Sequence, residues 1–424
     1  MQRVILHSDL NHFYAAVECL HNPSLAGKPV AVGGDPALRH GIILAKNPLA
    51  KASGVTTGQA IWQARQCCPS LVVLPPNHRL YLRFARMARD IYRRYTDRVE
   101  PYGLDEAWLD VTGSAGLFGN GKKIADELRQ RIRRELGLTV SIGVANNKAF
   151  AKLGSDIKKP DATTVLEPEN YPETVWPLPA GDLLYVGRAT ARKMANWGIY
   201  TIGDIARLEP GVLRHLMGKN GELLWSYARG LDTSPVAEAG ARTPILSIGN
   251  STTTPRDLTC LRDVRTVLYL LSESVASRMR EHGLYGRTLA LYVRDTELEH
   301  FERQCPLPRT THISGELART AEALFSRSYG WRRPIRSLGL RCANLVSDPL
   351  YLQCSLLEDN EAFARQETLE RTVDDIRRRF GPFSIRRALS LQDNTLEETG
   401  PEELHLNLLH PDSSRSGDRV LQYL

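Results

Sequence analysis

Three carboxylates stand where phosphate chemistry can be done. Asp9 closes the apolar run Val4 to Ser8, and Asp105 and Glu106 sit side by side at the turn within LDEAWLD. Adjacent carboxylates repel one another unless a cation lies between them, and an oxygen-only ligand set suits Mg²⁺ rather than zinc. Two such ions are the means by which polymerases and nucleases handle an in-line phosphoryl displacement, one at the attacking hydroxyl and one at the leaving pyrophosphate. An Asp-Glu pair in a turn is also ordinary turn chemistry. Asp9 ahead of the aromatic-rich FYAAVECL shifts the reading toward a metal site.

The elements that must position these acids follow from pattern. Val4 to Ser8 reads as a strand delivering Asp9 to its C-terminal end, and FYAAVECL has helical spacing. Asn22 to Pro76 is broken into short Gly- and Pro-punctuated pieces, as expected of a small insertion. A helix from Tyr81 to Tyr95 carries Arg83, Arg86, Arg89, Arg93 and Arg94 and is expected to face solvent; VEPYGLDEAWLDVTG then reads as two strands around a tight turn. With a helix over Lys122 to Leu136 and the strand TVSIGVA, the order is that of a ferredoxin-like split βαβ unit with an insertion. Its first strand and middle hairpin are neighbours, so the three acids are expected to converge.

Prolines crowd residues 160 to 180, which predicts a linker. Residues 181 to 232 read as short helices of helix-hairpin-helix type, with Gly187 and Gly221 freeing backbone N–H groups for a phosphate or serving as plain helix caps. Residues 244 to 343 form a second β-α-β-β-α-β set, in which Leu289, Leu291 and Val293 share one face. After Leu345 the text turns acidic, with one helical stretch from Glu361 to Phe380 and a polar, flexible end. The fold class is α+β.

Four segments, HSDLNHFYAAVE, AKNPLAKASGV, LDEAWLDVTG and SIGVANNKAFAKLGSDIKKP, in this order and spacing, resemble the Y-family translesion DNA polymerases of the polymerase IV class, over residues 1 to about 345. The resemblance implies a right-hand polymerase. Its palm would be residues 1–18 and 77–166, its inserted fingers 19–76, its helix-hairpin-helix thumb 167–233 and its little finger 243–345, followed by a tail at 346–424. It implies that Asp9, Asp105 and Glu106, with the Leu10 carbonyl, hold two Mg²⁺ ions, that Lys159 contacts the incoming triphosphate, and that Tyr14 is the steric gate against a 2′-hydroxyl. Phe13 beside it either lines the nucleotide site or fills the core. The family pattern is broken in four places. Asn11 replaces an Asp that is not one of the three metal ligands, so chemistry should survive. Pro48 and Lys51 replace a Tyr and an Arg that grip the triphosphate, which predicts weaker or differently selective nucleotide binding. Gly103 replaces a Ser before the acidic pair and is expected to loosen the turn.

The chain of 424 residues has 55 Lys+Arg against 48 Asp+Glu, a net charge of +7. That composition excludes a disordered chain, a collagen-like repeat and a small disulfide scaffold. Residues 346 to 424 carry 15 acids and 9 Arg, so the body holds +13 and the tail −6. A basic body fits phosphate contacts with primer-template DNA. In the little finger, Ser247, Thr252, Arg303, Arg336 and Arg341 are candidate contacts to the DNA backbone; a charged strand edge is the alternative for any one Arg. In the tail, Gln353-Cys354-Ser355-Leu356-Leu357 resembles the pentapeptides by which bacterial polymerases dock on the sliding clamp, with Gln353, Leu356 and Leu357 as anchors. Seven Cys without CxxC spacing read as reduced core residues, and no signal layout or membrane-length run is visible, so a cytoplasmic monomer is expected. The reading is a low-fidelity polymerase acting on dNTPs opposite damaged template. A palm-type nucleotide cyclase and a catalytically impaired DNA- and clamp-binding accessory protein are its rivals; the presence of all three acids argues against the second.

Overall fold

The computed structural model describes residues 2–36, 39, 41–241, 244–347, 360–389 and 393–397. The N-terminal unit is a five-stranded sheet in the order β5-β6-β1-β7-β8. Its strands are β1 (Ile5–Leu10), β5 (Val99–Tyr102), β6 (Glu106–Asp110), β7 (Val140–Ala145) and β8 (Thr163–Val165). Strand β1 runs antiparallel to both neighbours, with Asp9 opposite Glu106 on one side and Ser141 on the other.

Every residue of β1 is buried because both faces of the sheet are covered. On one face Leu6 and Leu10 pack with helices α1 (Phe13–His21), α4 (His78–Tyr92) and α6 (Gly121–Leu136), the last preceded by the short α5 (Ala115–Phe118). On the other, Ile5 and Trp108 pack with α7 (Lys148–Ile157) and the helical segment that follows it. Gly143 permits the second packing, since a Cβ there would lie 1.9 Å from the Ala151 carbonyl oxygen of α7. Asn77, Asn120 and Asn147 cap α4, α6 and α7 by accepting backbone N–H bonds from the first turn.

The insertion is a three-stranded sheet in the order β3-β2-β4, from β2 (Val30–Gly33), β3 (Ile43–Lys46) and β4 (Val72–Leu74), with α2 (Pro48–Ala52) and α3 (Ile61–Cys67) and a small core of its own. The helical segment comprises α8 (Tyr171–Thr174), α9 (Arg188–Ala195), α10 (Ile202–Arg207), α11 (Pro210–Met217) and α12 (Lys219–Ala228). The C-terminal unit is an antiparallel sheet in the order β11-β10-β12-β9, from β9 (Ser247–Leu258), β10 (Gly286–Asp295), β11 (His300–Thr311) and β12 (Ile335–Ala343), backed by α13 (Leu261–Glu281) and α14 (Ser314–Ser328). An Arg39–Asp257 ion pair joins it to the insertion.

Two expectations need correction here. The acidic C-terminal text is not simply a tail. Helix α15 (Asn360–Phe380) is bound to α13 and α14 by charge: Arg280 is buried against Glu370 and Asp374, and Glu370 also accepts the Ser314 hydroxyl at 2.6 Å. Further along, Asp393 holds Arg256, and Leu396 enters the core of the C-terminal unit. Nor are the cysteines mainly core residues: Cys68 and Cys342 are buried, whereas Cys67 and Cys260 are exposed.

Candidate active site

The strand ladder brings the three acids together. Asp9 and Glu106 are direct partners across β1 and β6, and the Leu10 N–H donates to the Asp105 carbonyl at 3.0 Å. Asp105 precedes β6 by one residue, after a turn in which Gly103 has φ +77°. A side chain at that φ is strained, so Gly103 suits this turn rather than loosening it. Its carbonyl accepts the Arg89 guanidinium at 2.9 Å. Arg89 lies on the buried stripe of α4, so that helix does not present all its arginines to solvent.

Burial costs each carboxylate its hydration, and the partners decide the outcome. Asp9 is pushed up to about 6, first by burial, with Lys159 opposing. Asp105 is raised by burial and by the neighbouring Glu106 charge. Glu106 is also buried, but His7 and Lys152 overcome that and hold it down at about 2. Lys159 Nζ stands 2.5 Å from Asp9 Oδ2, Lys152 Nζ is drawn onto Glu106 Oε2, and His7 Nε2 lies 3.1 Å from the same Glu106 oxygen. Burial in turn depresses His7 below its ordinary value, with Glu106 opposing.

The set fits a hard cation. It is oxygen-only on the acid side, and burial holds two of its carboxylates above their ordinary values. Among the described residues no three His, Cys, Asp or Glu side chains are closed into a ready-made cage. Lysine ammonium groups lie on Asp9 and Glu106 instead.

Beside the acids is a basic wall. His12, at the N-cap of α1, is lowered by burial and then by Lys51, Lys46 and Lys159, which places these cations around one ring. Lys51 is exposed on α2, where Pro48 occupies the first helical position behind the Asn47 cap. Tyr14, on α1, is partly buried against the helix layer. Its ring stacks on Tyr81 and takes the edge of His78 at 5.7 Å, and burial with the nearby Asp105 charge pushes its hydroxyl up to about 12. Phe13 is buried at 3% exposure and belongs to the core, not to the nucleotide site.

The expected DNA contacts divide. Gly187 is the N-cap of α9 with open space where a Cβ would lie. Gly221 is not a phosphate contact: it is buried within α12, its N–H donates to the Gly218 carbonyl, and a Cβ would lie 2.1 Å from the Leu213 carbonyl oxygen. At that joint Gly218, not Gly221, has open space where a Cβ would lie, but its N–H already donates to the Arg214 carbonyl at 2.8 Å. Ser247 and Thr252 differ by an odd number of positions on one strand and so face opposite ways. Thr252 is buried on the helix side with Ile248 and Asn250, whereas exposed Ser251 shares the open face with Ser247.

Arg341 also lies on the open face, paired with Glu302. Arg303 does not join it. It is opposite Leu291 in the ladder, on the helix-side face, and lies 5.5 Å over the Phe301 ring. Arg336 is half-buried at the irregularity between Ile335 and Ser337. Gln353, Leu356 and Leu357 lie outside the described residues.

Sequence reasoning missed Arg89, Lys152, Lys46 and His7 as supports of the site. Helical spacing could have found the first two, because Arg89 falls on the Ala85–Tyr92 stripe and Lys152 lies one turn beyond Lys148. His7 is within β1, where strand alternation gives no sign of a polar partner.

With this geometry in view, comparison with known proteins is direct. The sequence matches the impB/mucB/samB family over residues 8–156 and that family's C-terminal domain over residues 246–356. It is 52% identical to DNA polymerase IV of Acetivibrio thermocellus over 93% of this chain and 99% of that protein. It is 36% identical to DNA polymerase IV 2 of Bacillus subtilis, over 92% of this chain and 95% of that protein. A solved Y-family DNA polymerase chimera of Dbh and Dpo4 has the same fold, with a TM-score of 0.72 and 24% identity, over 81% of this chain and all of that one. The chain, with acids at the meeting ends of β1 and β6 and a second β-α-β-β-α-β unit behind a helical segment, belongs to the polymerase IV class of the Y-family DNA polymerases.

Proposed function

We infer that this protein is a translesion DNA polymerase that adds deoxynucleotides to a primer 3′-hydroxyl with two Mg²⁺ ions, using Asp9, Asp105, Glu106 and the Leu10 carbonyl to hold them. The observation that carries the reading is the convergence of three carboxylates beside a wall of Lys46, Lys51, Lys159 and His12. When bound, the ions acidify the attacking hydroxyl and neutralise the leaving pyrophosphate. The protein's own groups do the rest. Lys159 and Lys51 meet the triphosphate, Tyr14 lies beneath the sugar, and His7 and Lys152 keep Glu106 ionised.

Template grip falls to the backbone at Gly187 and to the open sheet face with Ser247 and Arg341, contacts that take hold of phosphates without reading bases. The boundaries of palm, fingers, thumb and little finger drawn from the sequence belong to the same proposal, with the last unit extended by residues 360–389 and 393–397. So do a cytoplasmic location, a monomeric state and clamp docking through Gln353, Leu356 and Leu357. No helix of the described residues is long and apolar enough to cross a membrane.

Primer extension on undamaged and lesion-bearing templates tests the centre of this reading. The Asp105→Ala, Glu106→Ala variant should lose extension and keep primer-template binding; extension that persists would remove these residues from the site. For the clamp, a Gln353→Ala, Leu356→Ala variant should no longer be retained on immobilised sliding clamp, and retention equal to wild type would end that part.

A further inference from the structure

Asn11 lies two residues beyond Asp9, is almost fully buried, and has no place in the chemistry described so far. Its side chain is used at both ends. Nδ2 donates to the Ser141 hydroxyl on β7 at 2.9 Å, and Oδ1 accepts the backbone N–H of Asp161 at 2.8 Å. Its own N–H donates to the Thr139 carbonyl at 2.9 Å, so the residue is held from three directions.

Asp161 follows Lys159 by two positions and has φ +52°, a conformation that a non-glycine residue keeps only when its surroundings hold it. Those surroundings are Asn11 together with Arg129 and Arg133, which bind the Asp161 carbonyl and carboxylate. On its other side Lys159 is tied to α7 by Asp156, with Nζ 2.7 Å from Oδ1, while its ammonium reaches Asp9. The segment that carries Lys159 is therefore pinned to α7 before it; after it, Arg129 and Arg133 hold Asp161 to α6, the Ala162 carbonyl accepts the Ile142 N–H of β7 at 2.9 Å, and one neutral amide, Asn11, ties Asp161 to the end of β1.

We propose that Asn11 is a positioning residue for nucleotide binding: it sets the reach of the Lys159 ammonium toward the triphosphate by anchoring Asp161 to the strand that carries Asp9. The proposal rests on the reading that Lys159 meets the triphosphate. An amide suits the task because it accepts from Asp161 and donates to Ser141 at once. A carboxylate keeps the first bond, and the Ser141 hydroxyl can turn to donate to it, so Asn11→Asp is the conservative change. Alanine loses both bonds and leaves the Asp161 N–H without its partner.

The test is steady-state insertion of one correct dNTP on an undamaged primer-template, with pyrophosphate inhibition as a phosphate-only probe. Asn11→Ala should raise the nucleotide KM roughly tenfold, the scale expected when a buried donor loses its partner. It should weaken pyrophosphate inhibition in the same proportion and leave kcat within about twofold, and Asn11→Asp should restore KM. Lys159→Ala should raise KM at least as far, and the double variant Asn11→Ala, Lys159→Ala should be no worse than Lys159→Ala, because one acts through the other.

An unchanged KM in Lys159→Ala would show that the reading of Lys159 has failed, and the inference with it. A raised KM in Lys159→Ala but not in Asn11→Ala, or effects that multiply in the double variant, would overturn the inference alone. Should Asn11→Ala not fold, Ser141→Ala removes the other partner of the same amide and carries the test. A KM-selective rise of a few-fold then supports the proposal, and no rise defeats it.

Discussion

The Tyr14 ring lies flat against the ring of Tyr81, with centroids 4.2 Å apart and planes within 10° of each other. Tyr81 is fully buried and its hydroxyl donates to Glu18 at 2.6 Å, so it is a fixed support on α4 for a half-buried ring on α1. Stacking of this kind is worth about 0.5–1.5 kcal/mol beyond burial. Tyr14→Ala is expected to raise ribonucleotide insertion relative to deoxynucleotide insertion on the order of a hundredfold, equivalent to about 3 kcal/mol. Tyr81→Ala should raise it by roughly tenfold at most, since the gate remains but loses its backing. Competition between rNTP and dNTP in single-nucleotide insertion reads both. An unchanged ratio in Tyr14→Ala would show that the ring is not under the sugar.

The acids should give the metal-free protein a pH signature. Asp9 sits at about 6 in the folded chain against an ordinary 3.8, so between those values the folded state binds more protons than the unfolded one. Stability from this group therefore rises as pH falls from about 6 to 4, by about 2–3 kcal/mol in full. Asp105 acts in the same direction. Glu106 runs the other way: held at about 2, it contributes above its ordinary 4.5 and loses that contribution as pH falls below it. Urea unfolding in chelator from pH 6.5 to 4.5 should show wild type gaining on Asp9→Asn as pH drops. Parallel curves would contradict the raised value.

Two glycines of the helical segment should behave oppositely. Gly221→Ala forces a Cβ against the Leu213 carbonyl and is expected to cost about 2–4 kcal/mol, visible as a lower unfolding temperature. Gly187→Ala meets nothing within 4 Å and should leave stability within about 0.5 kcal/mol. Its effect, if Gly187 meets a phosphate, belongs to primer-template affinity measured at low salt. Equal unfolding temperatures for the two variants would refute the assignment of Gly221 to packing.

Glu370→Ala leaves the buried Arg280 with Asp374 and the His312 carbonyl, and breaking a buried pair in this way costs about 3–5 kcal/mol. Truncation after residue 347 removes both partners and Leu396 as well. Either change should unfold the C-terminal unit at lower urea concentration than the rest and weaken DNA binding through it. A truncated protein as stable as the full chain would mean that residues 360–397 are dispensable.

Much of this protein was legible from local text. Strand and helix periods, the Asp9 strand end and the Asp105–Glu106 turn depend on neighbours within a few residues, so they predicted both β-α-β-β-α-β units and the meeting of the acids. Asn11 shows where that ends. Its departure from the family pattern is visible in the sequence, but its partners Ser141 and Asp161 lie 130 and 150 positions away. The faces of Thr252 and Arg303 were hidden for a related reason: which face of a strand meets the helices depends on ladder register, and a slip of one residue reverses it.

The sequence by itself determined the elements, the family and the three acids. Only the tertiary structure decided which charges those acids meet, that Arg89 and Arg280 are buried partners rather than surface cations, and that an acidic C-terminal segment is folded onto its own domain. Burial and long-range pairing set the energies of charged groups, and neither is a property of a stretch of chain read alone.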